Sequence, residues 1–242
     1  MKRIIGLLLA VVLIVSLASA QATISVTVKP NISCTTIGSI YTTSGKDTIT
    51  AVAKPFGSVT AGMQVYGPGI KNGTTVAYKV TGDSVLVLSD TAIATAAGNA
   101  SLQFPYFTSA AYSTGQWVGL PFKVMDNYPG ALALLISAEI EDNADIIGNM
   151  DILFFTNLSG SAGLDRAALA VPATDQGNIL GIVSLTTVTD LGSLRILTST
   201  DPISIALPVY KPIWARLIAR SGATPTAISN FNVRLRLASI PN

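Results

Sequence analysis

Apolar and polar positions alternate in short runs along most of this chain, and turn residues punctuate them about every ten positions. Ile24, Val26 and Val28 alternate with Ser25 and Thr27, the period of two that marks a half-buried strand. Ile49 and Val52 lie in a Thr/Ala-rich stretch, and further strands are expected over 63–66, 74–80, 84–88 and 101–104. Gly67-Pro68-Gly69 and Asn72-Gly73 supply left-handed turn positions, and Gly82-Asp83 reads as a two-residue hairpin loop. Short strands at such spacing predict a small sandwich or barrel.

The pattern is stronger downstream. Eight strands are expected over 116–124, 131–141, 151–155, 179–185, 193–197, 203–207, 213–220 and 231–237. Residues 165–171, ahead of Pro172, read either as a short helical turn or as a loop strand. In the last strand Val233, Leu235 and Leu237 point one way and Asn232, Arg234 and Arg236 the other. In the strand before it, Trp214, Arg216, Ile218 and Arg220 share one face, and Ile213, Ala215, Leu217 and Ala219 the other. Eight such strands match the count of a jelly roll. The fold expected is therefore all-β, a small N-terminal β module over 21–104 followed by a jelly-roll-like β-sandwich over 105–242.

Two resemblances accompany this pattern. Gly62-Met63-Gln64-Val65-Tyr66-Gly67-Pro68-Gly69-Ile70, then Asn72-Gly73-Thr74-Thr75-Val76, then Val85-Leu86-Val87-Leu88-Ser89 together resemble a small β module of phage tail and fibre proteins and bacterial surface proteins. In the longer segment the series is Gly115 with Leu120-Pro121-Phe122, the apolar-acidic run 135–143, and Met150-Asp151-Ile152-Leu153-Phe154-Phe155. It continues with Ala167-Ala168-Leu169, Asp175 and 179–184, and closes on 214–225 and 233–237. This succession resembles a family of tailed-phage virion proteins. The resemblance implies a structural role in the virion, as a capsid decoration, head-fibre or tail-associated component, with no catalytic residue. It also implies a homo-oligomer, a trimer by analogy with jelly-roll decoration proteins, in contact with other virion proteins.

The first twenty residues point elsewhere. Lys2 and Arg3 precede an apolar run from Ile4 to Leu17, and Ala18-Ser19-Ala20 supplies small residues before Gln21. That is the layout of a cleavable secretory leader. The run is shorter than the ~20 apolar residues of a spanning helix, so a membrane contact is expected only through an uncleaved leader. A secreted or cell-surface adhesive protein is the alternative to a virion component. Without Lys2 and Arg3 the 15 basic residues become 13, equal to the 13 acidic ones. A neutral chain with no basic stripe gives no footprint for nucleic acid. Only 12% of residues are charged, and so little charge fits a protein whose surface is covered by neighbours.

Composition also limits chemistry. There is no histidine and a single cysteine, Cys34, which removes His-based triads, zincin helices and thiolate metal sites. Glu139, Glu141, Asp142 and Asp145 form the densest acidic cluster, with Asp151 nearby. Carboxylates so close can ligate Ca²⁺, although the spacing matches no EF-hand and a solvated strand end reads the same way. Arg216, Arg220, Arg234 and Arg236 fall on consecutive expected strands and are candidates for one interface face, or for charges that blunt a sheet edge. Trp117 and Trp214 are expected in the core. No cofactor is expected, and the function expected is non-enzymatic.

Overall fold

A computed structural model describes residues 23–240 except 53–54, 81, 107–108, 127–131, 147, 159–162, 200, 209 and 228–229. The leader and its cleavage point lie outside the described residues. The chain is nearly all β. Its strands are β1 (Thr23–Val28), β2 (Cys34–Thr42), β3 (Thr48–Ala51), β4 (Val76–Lys79), β5 (Val85–Leu88), β6 (Ala96–Pro105) and β7 (Trp117–Met125). They continue as β8 (Leu132–Asp142), β9 (Met150–Phe155), β10 (Ile179–Leu185), β11 (Thr187–Asp190) and β12 (Arg195–Thr198). The last are β13 (Ile205–Leu207), β14 (Ile213–Ala219) and β15 (Phe231–Ile240).

Two sheets face each other across the larger core. One runs β1-β15-β8-β12-β11, with β13 also on β8; the other runs β10-β9-β14-β7. Taken in chain order, β1, β7, β8, β9, β10, β12, β14 and β15 are eight strands. The first pairs with the last, the second with the seventh, the third with the sixth and the fourth with the fifth. Successive pairs alternate between the sheets, joined through β15·β8 and β14·β9. This is the jelly-roll winding. Alternation places Val233, Leu235 and Leu237 of β15 and Ala215, Leu217 and Ala219 of β14 in one core, with Phe154 and Leu135.

The small module has its own five-stranded sheet, β4-β5-β3-β2-β6. Its core holds Ile40, Ile49, Leu86 and Leu102, with Phe56 and Phe104 in edge contact at 6.1 Å. The division at 104 is not the boundary the strands respect. β1, which the sequence groups with this module, supplies the jelly roll's first strand and pairs with β15 from Thr23↔Ala238 to Val28↔Val233. The module is thus inserted between the jelly roll's first and second strands. The eight expected strands of the second segment miss β1 and include β13, which is an addition beside β12 on β8. An alternating run such as 24–28 fits any half-covered sheet, so its pattern alone does not choose the partner.

Two strands escape the pattern. In β2 the register shifts between Ile37 and Ile40, and Ser39 adopts φ 57°, a bulge that breaks the apolar period. β11 is exposed at every position, so no face of it needs to be apolar. The expected strand at 63–66 makes only single bridges, Gln64↔Thr75 and Tyr66↔Gln103. The hairpin at Gly82-Asp83 is wider than two residues: the Val80 N–H reaches the Val85 carbonyl. Residues 165–171 are an irregular turn with one bridge, Gln116↔Ala168.

Candidate functional site

The two sheets of the jelly roll have different outer faces. On β10-β9-β14-β7, the outward side chains Trp117, Leu153, Phe155, Trp214 and Ile218 are buried. Leu158, Ala167 and Val171, from the segment between β9 and β10, pack on them, and the inserted module reaches Trp214 through Gly73, whereas Ile182 on β10 stays exposed. On β1-β15-β8-β12-β11 the outward residues Thr23, Ser25, Thr27, Arg234 and Arg236 are exposed. Among the described residues no element packs over that side.

The covered face is sealed by a polar cluster where module and jelly roll meet. Arg216, on the outward side of β14, is fully buried. Its guanidinium lies 4.7 Å from the Trp117 ring and 4.9 Å from the Tyr66 ring, so one aromatic comes from each unit. Nε donates to the Gly119 carbonyl at 3.0 Å and Nη1 to the Gly163 carbonyl at 2.7 Å. Nη2 has no hydrogen-bond partner among the described residues. Burial lowers the pKa of Arg216, opposed by the nearby Tyr66 and Asp165.

Asp165 sits beside it. Its Oδ1 accepts from the Gly119 N–H at 2.6 Å and the Tyr112 hydroxyl at 2.7 Å, and its Oδ2 pairs with Arg166 at 2.6 Å. The Asp165 N–H donates to Gln103 Oε1 at 2.6 Å, which ties the cluster to β6. The Tyr112 hydroxyl also abuts the Ile32 carbonyl. Burial lifts the Asp165 carboxyl above the usual carboxylate range, opposed first by Tyr112 and then by Arg166. It lifts the Tyr112 phenol as well, with Asp165 adding to the effect. Cys34 is buried against Tyr66 and Leu120, and burial pushes its thiol well up. Such a thiol is inert, and its burial removes it from intermolecular pairing.

Gly119 permits this close approach. It adopts φ +66°, and a Cβ there would lie 2.0 Å from the Asn31 carbonyl oxygen. The Leu120 N–H donates to that same carbonyl at 3.0 Å.

The four interface arginines do not share a face. β14 and β15 belong to different sheets, so strands that follow one another in sequence lie on opposite sides of the sandwich. Arg216 is the buried junction residue, and Arg220 pairs with the buried Asp151. Arg234 and Arg236 stay together on the open face, where Arg234 meets Glu141 at 2.7 Å.

The acidic cluster is dispersed as well. Glu139 and Glu141 lie opposite Arg234 and Asn232 on the open face. Asp142 is buried and accepts from the Ala144 and Ile146 N–H groups, closing the turn after β8. Asp145 pairs with Arg195 at 2.6 Å. Alternation along β8 sends neighbouring carboxylates to opposite sides, so their density in sequence does not carry into space. Among the described residues no group of three His, Cys, Asp or Glu converges as a metal site. Trp117 and Trp214 are buried as expected.

The residues that the sequence did not single out are Tyr66, Gln103, Tyr112, Gly119 and Asp165. Gly119, between Trp117 and Leu120 in a strand, carries the one usable signal, since glycine inside a strand marks close backbone approach. Comparison with protein-family models, curated proteins and solved structures finds no match.

Proposed function

We propose that the chain is a non-enzymatic structural protein of a virion, a capsid decoration, head-fibre or tail-associated component that assembles with copies of itself through its jelly roll. The unequal coverage of the two sheets carries this reading. One outer face is covered over β7, β14 and β9 by the chain's own module together with Leu158, Ala167 and Val171, and the other is left open over β1, β15 and β8. That open face bears Arg236 and Glu139, neither of which has an ion-pair partner among the described residues. A face carrying both signs is complementary to a copy of itself. The resemblance to tailed-phage virion proteins supports the same reading, with a trimer as the expected assembly.

The test is mass spectrometry of gradient-purified particles, with light scattering of the purified chain. Enrichment in particles and an oligomer at micromolar concentration are expected. Arg236→Glu should dissociate the oligomer, as should Glu139→Arg, and the double exchange should restore it. A monomer absent from particles would overturn the proposal.

The segment 1–20 favours a second reading, a secreted or cell-surface adhesive protein. Recovery from the medium or envelope with an N-terminus at Gln21 would select it.

A further inference from the structure

Between the inserted module and the jelly roll runs a cleft of about 850 Å³, inside the range of about 300–1,000 Å³ typical of ligand sites. Several contacts hold the module to the jelly roll, among them Gln64 Nε2 donating to the Pro121 carbonyl at 2.9 Å. Another is the Arg216 cluster, and a third is Asn72, whose Nδ2 donates to the Leu158 carbonyl at 3.3 Å. The cleft opens beside them, so its walls come from both units and its shape depends on how they are held.

Its chemistry is specific in sign. Lys29, Lys71 and Lys123 line it against one carboxylate, Asp90. Lys29 has no ion-pair partner among the described residues. Lys71 meets Asp90 at 2.7 Å and Lys123 meets Asp126 at 2.9 Å, both pairs well exposed. Exposed pairs contribute little and can exchange for a ligand's anion. The remaining wall mixes carboxamides and hydroxyls, among them Asn157, Thr75 and Ser89, with apolar side chains such as Pro30, Ile93, Pro121 and Pro212. Asn72 Oδ1 has no hydrogen-bond donor among the described residues. Ser89 Oγ accepts from the Thr75 N–H at 2.9 Å, which leaves its own proton to donate. Trp214 is only 7% exposed, so the cleft offers no open ring on which nucleic-acid bases stack.

We infer that this cleft binds an acidic saccharide, with the lysines meeting carboxylates and the amides and hydroxyls meeting sugar hydroxyls. The inference stands independently of a virion or surface location.

Titration calorimetry of the full chain at physiological ionic strength tests it, with hexameric oligogalacturonate against a neutral malto-oligosaccharide of equal length. The acidic hexamer should bind at least tenfold more tightly. It should also change Trp214 fluorescence, because the Lys123 ammonium lies 5.6 Å from that ring. Lys29→Ala with Lys123→Ala should weaken binding at least tenfold while leaving the urea midpoint in place. Lys79 pairs with Asp83 and contacts no residue lining the cleft, so Lys79→Ala should leave binding unchanged. No binding at millimolar hexamer, equal binding of the neutral sugar, or equal losses from the cleft pair and from Lys79→Ala would each overturn the inference.

Discussion

Arg216 holds its place by geometry rather than by a carboxylate partner. Two carbonyls and two ring faces satisfy most of its guanidinium, and each unit supplies one ring. Arg216→Ala should therefore leave two buried acceptors bare and a gap between the rings, and cost about 3–5 kcal/mol in urea unfolding. Arg216→Met restores volume but no donors, and should cost less. Asp165 gives a pH signature. Its folded pKa lies above the unfolded one because burial disfavours the anion. Between those two values the folded state binds more protons, so stability falls as pH rises out of the ordinary carboxylate range near about 4. Asp165→Asn should flatten that decline in urea midpoints measured against pH. Little of this cluster was legible in sequence. Arg216 alternates with Trp214 and Ile218 and so lies on a definite face, but the side that another chain segment covers is decided by long-range packing.

For the strands themselves, alternation was a dependable guide. The residues expected to share a face, Val233, Leu235 and Leu237 on β15 and Ile213, Ala215, Leu217 and Ala219 on β14, lie together in one core. Leu235→Ala should cost about 2–5 kcal/mol, whereas Thr189→Ala on the fully exposed β11 should shift stability by less than about 0.5 kcal/mol. Thermal denaturation of the two variants checks the contrast. Elements escaped where alternation was absent or ambiguous. β2 is bulged at Ser39, and β11 has no buried face to advertise. β1 shows its strand period plainly and hides its partner, because an edge strand needs only one apolar side.

At the scale of the whole molecule, the buried junction makes the inserted module and the jelly roll one cooperative body. Calorimetry of the full chain should give a single transition. Gly119→Ala pushes a methyl into Asn31 and should split it into two, with the Cys34 thiol becoming open to alkylation as the units part. The insertion has a further consequence in time. β1 is synthesised before the other described strands, yet its partner strand begins at Phe231, about 200 positions later. The module's sheet closes over β2–β6 and can form early, while the jelly roll must wait for the last strand. Such long-range closure is slow and leaves the apolar side of β1 without its sheet for most of synthesis, the condition in which nascent chains aggregate. The order of the strands therefore predicts more aggregation from nascent chains stopped before residue 231 than from chains that have completed β15.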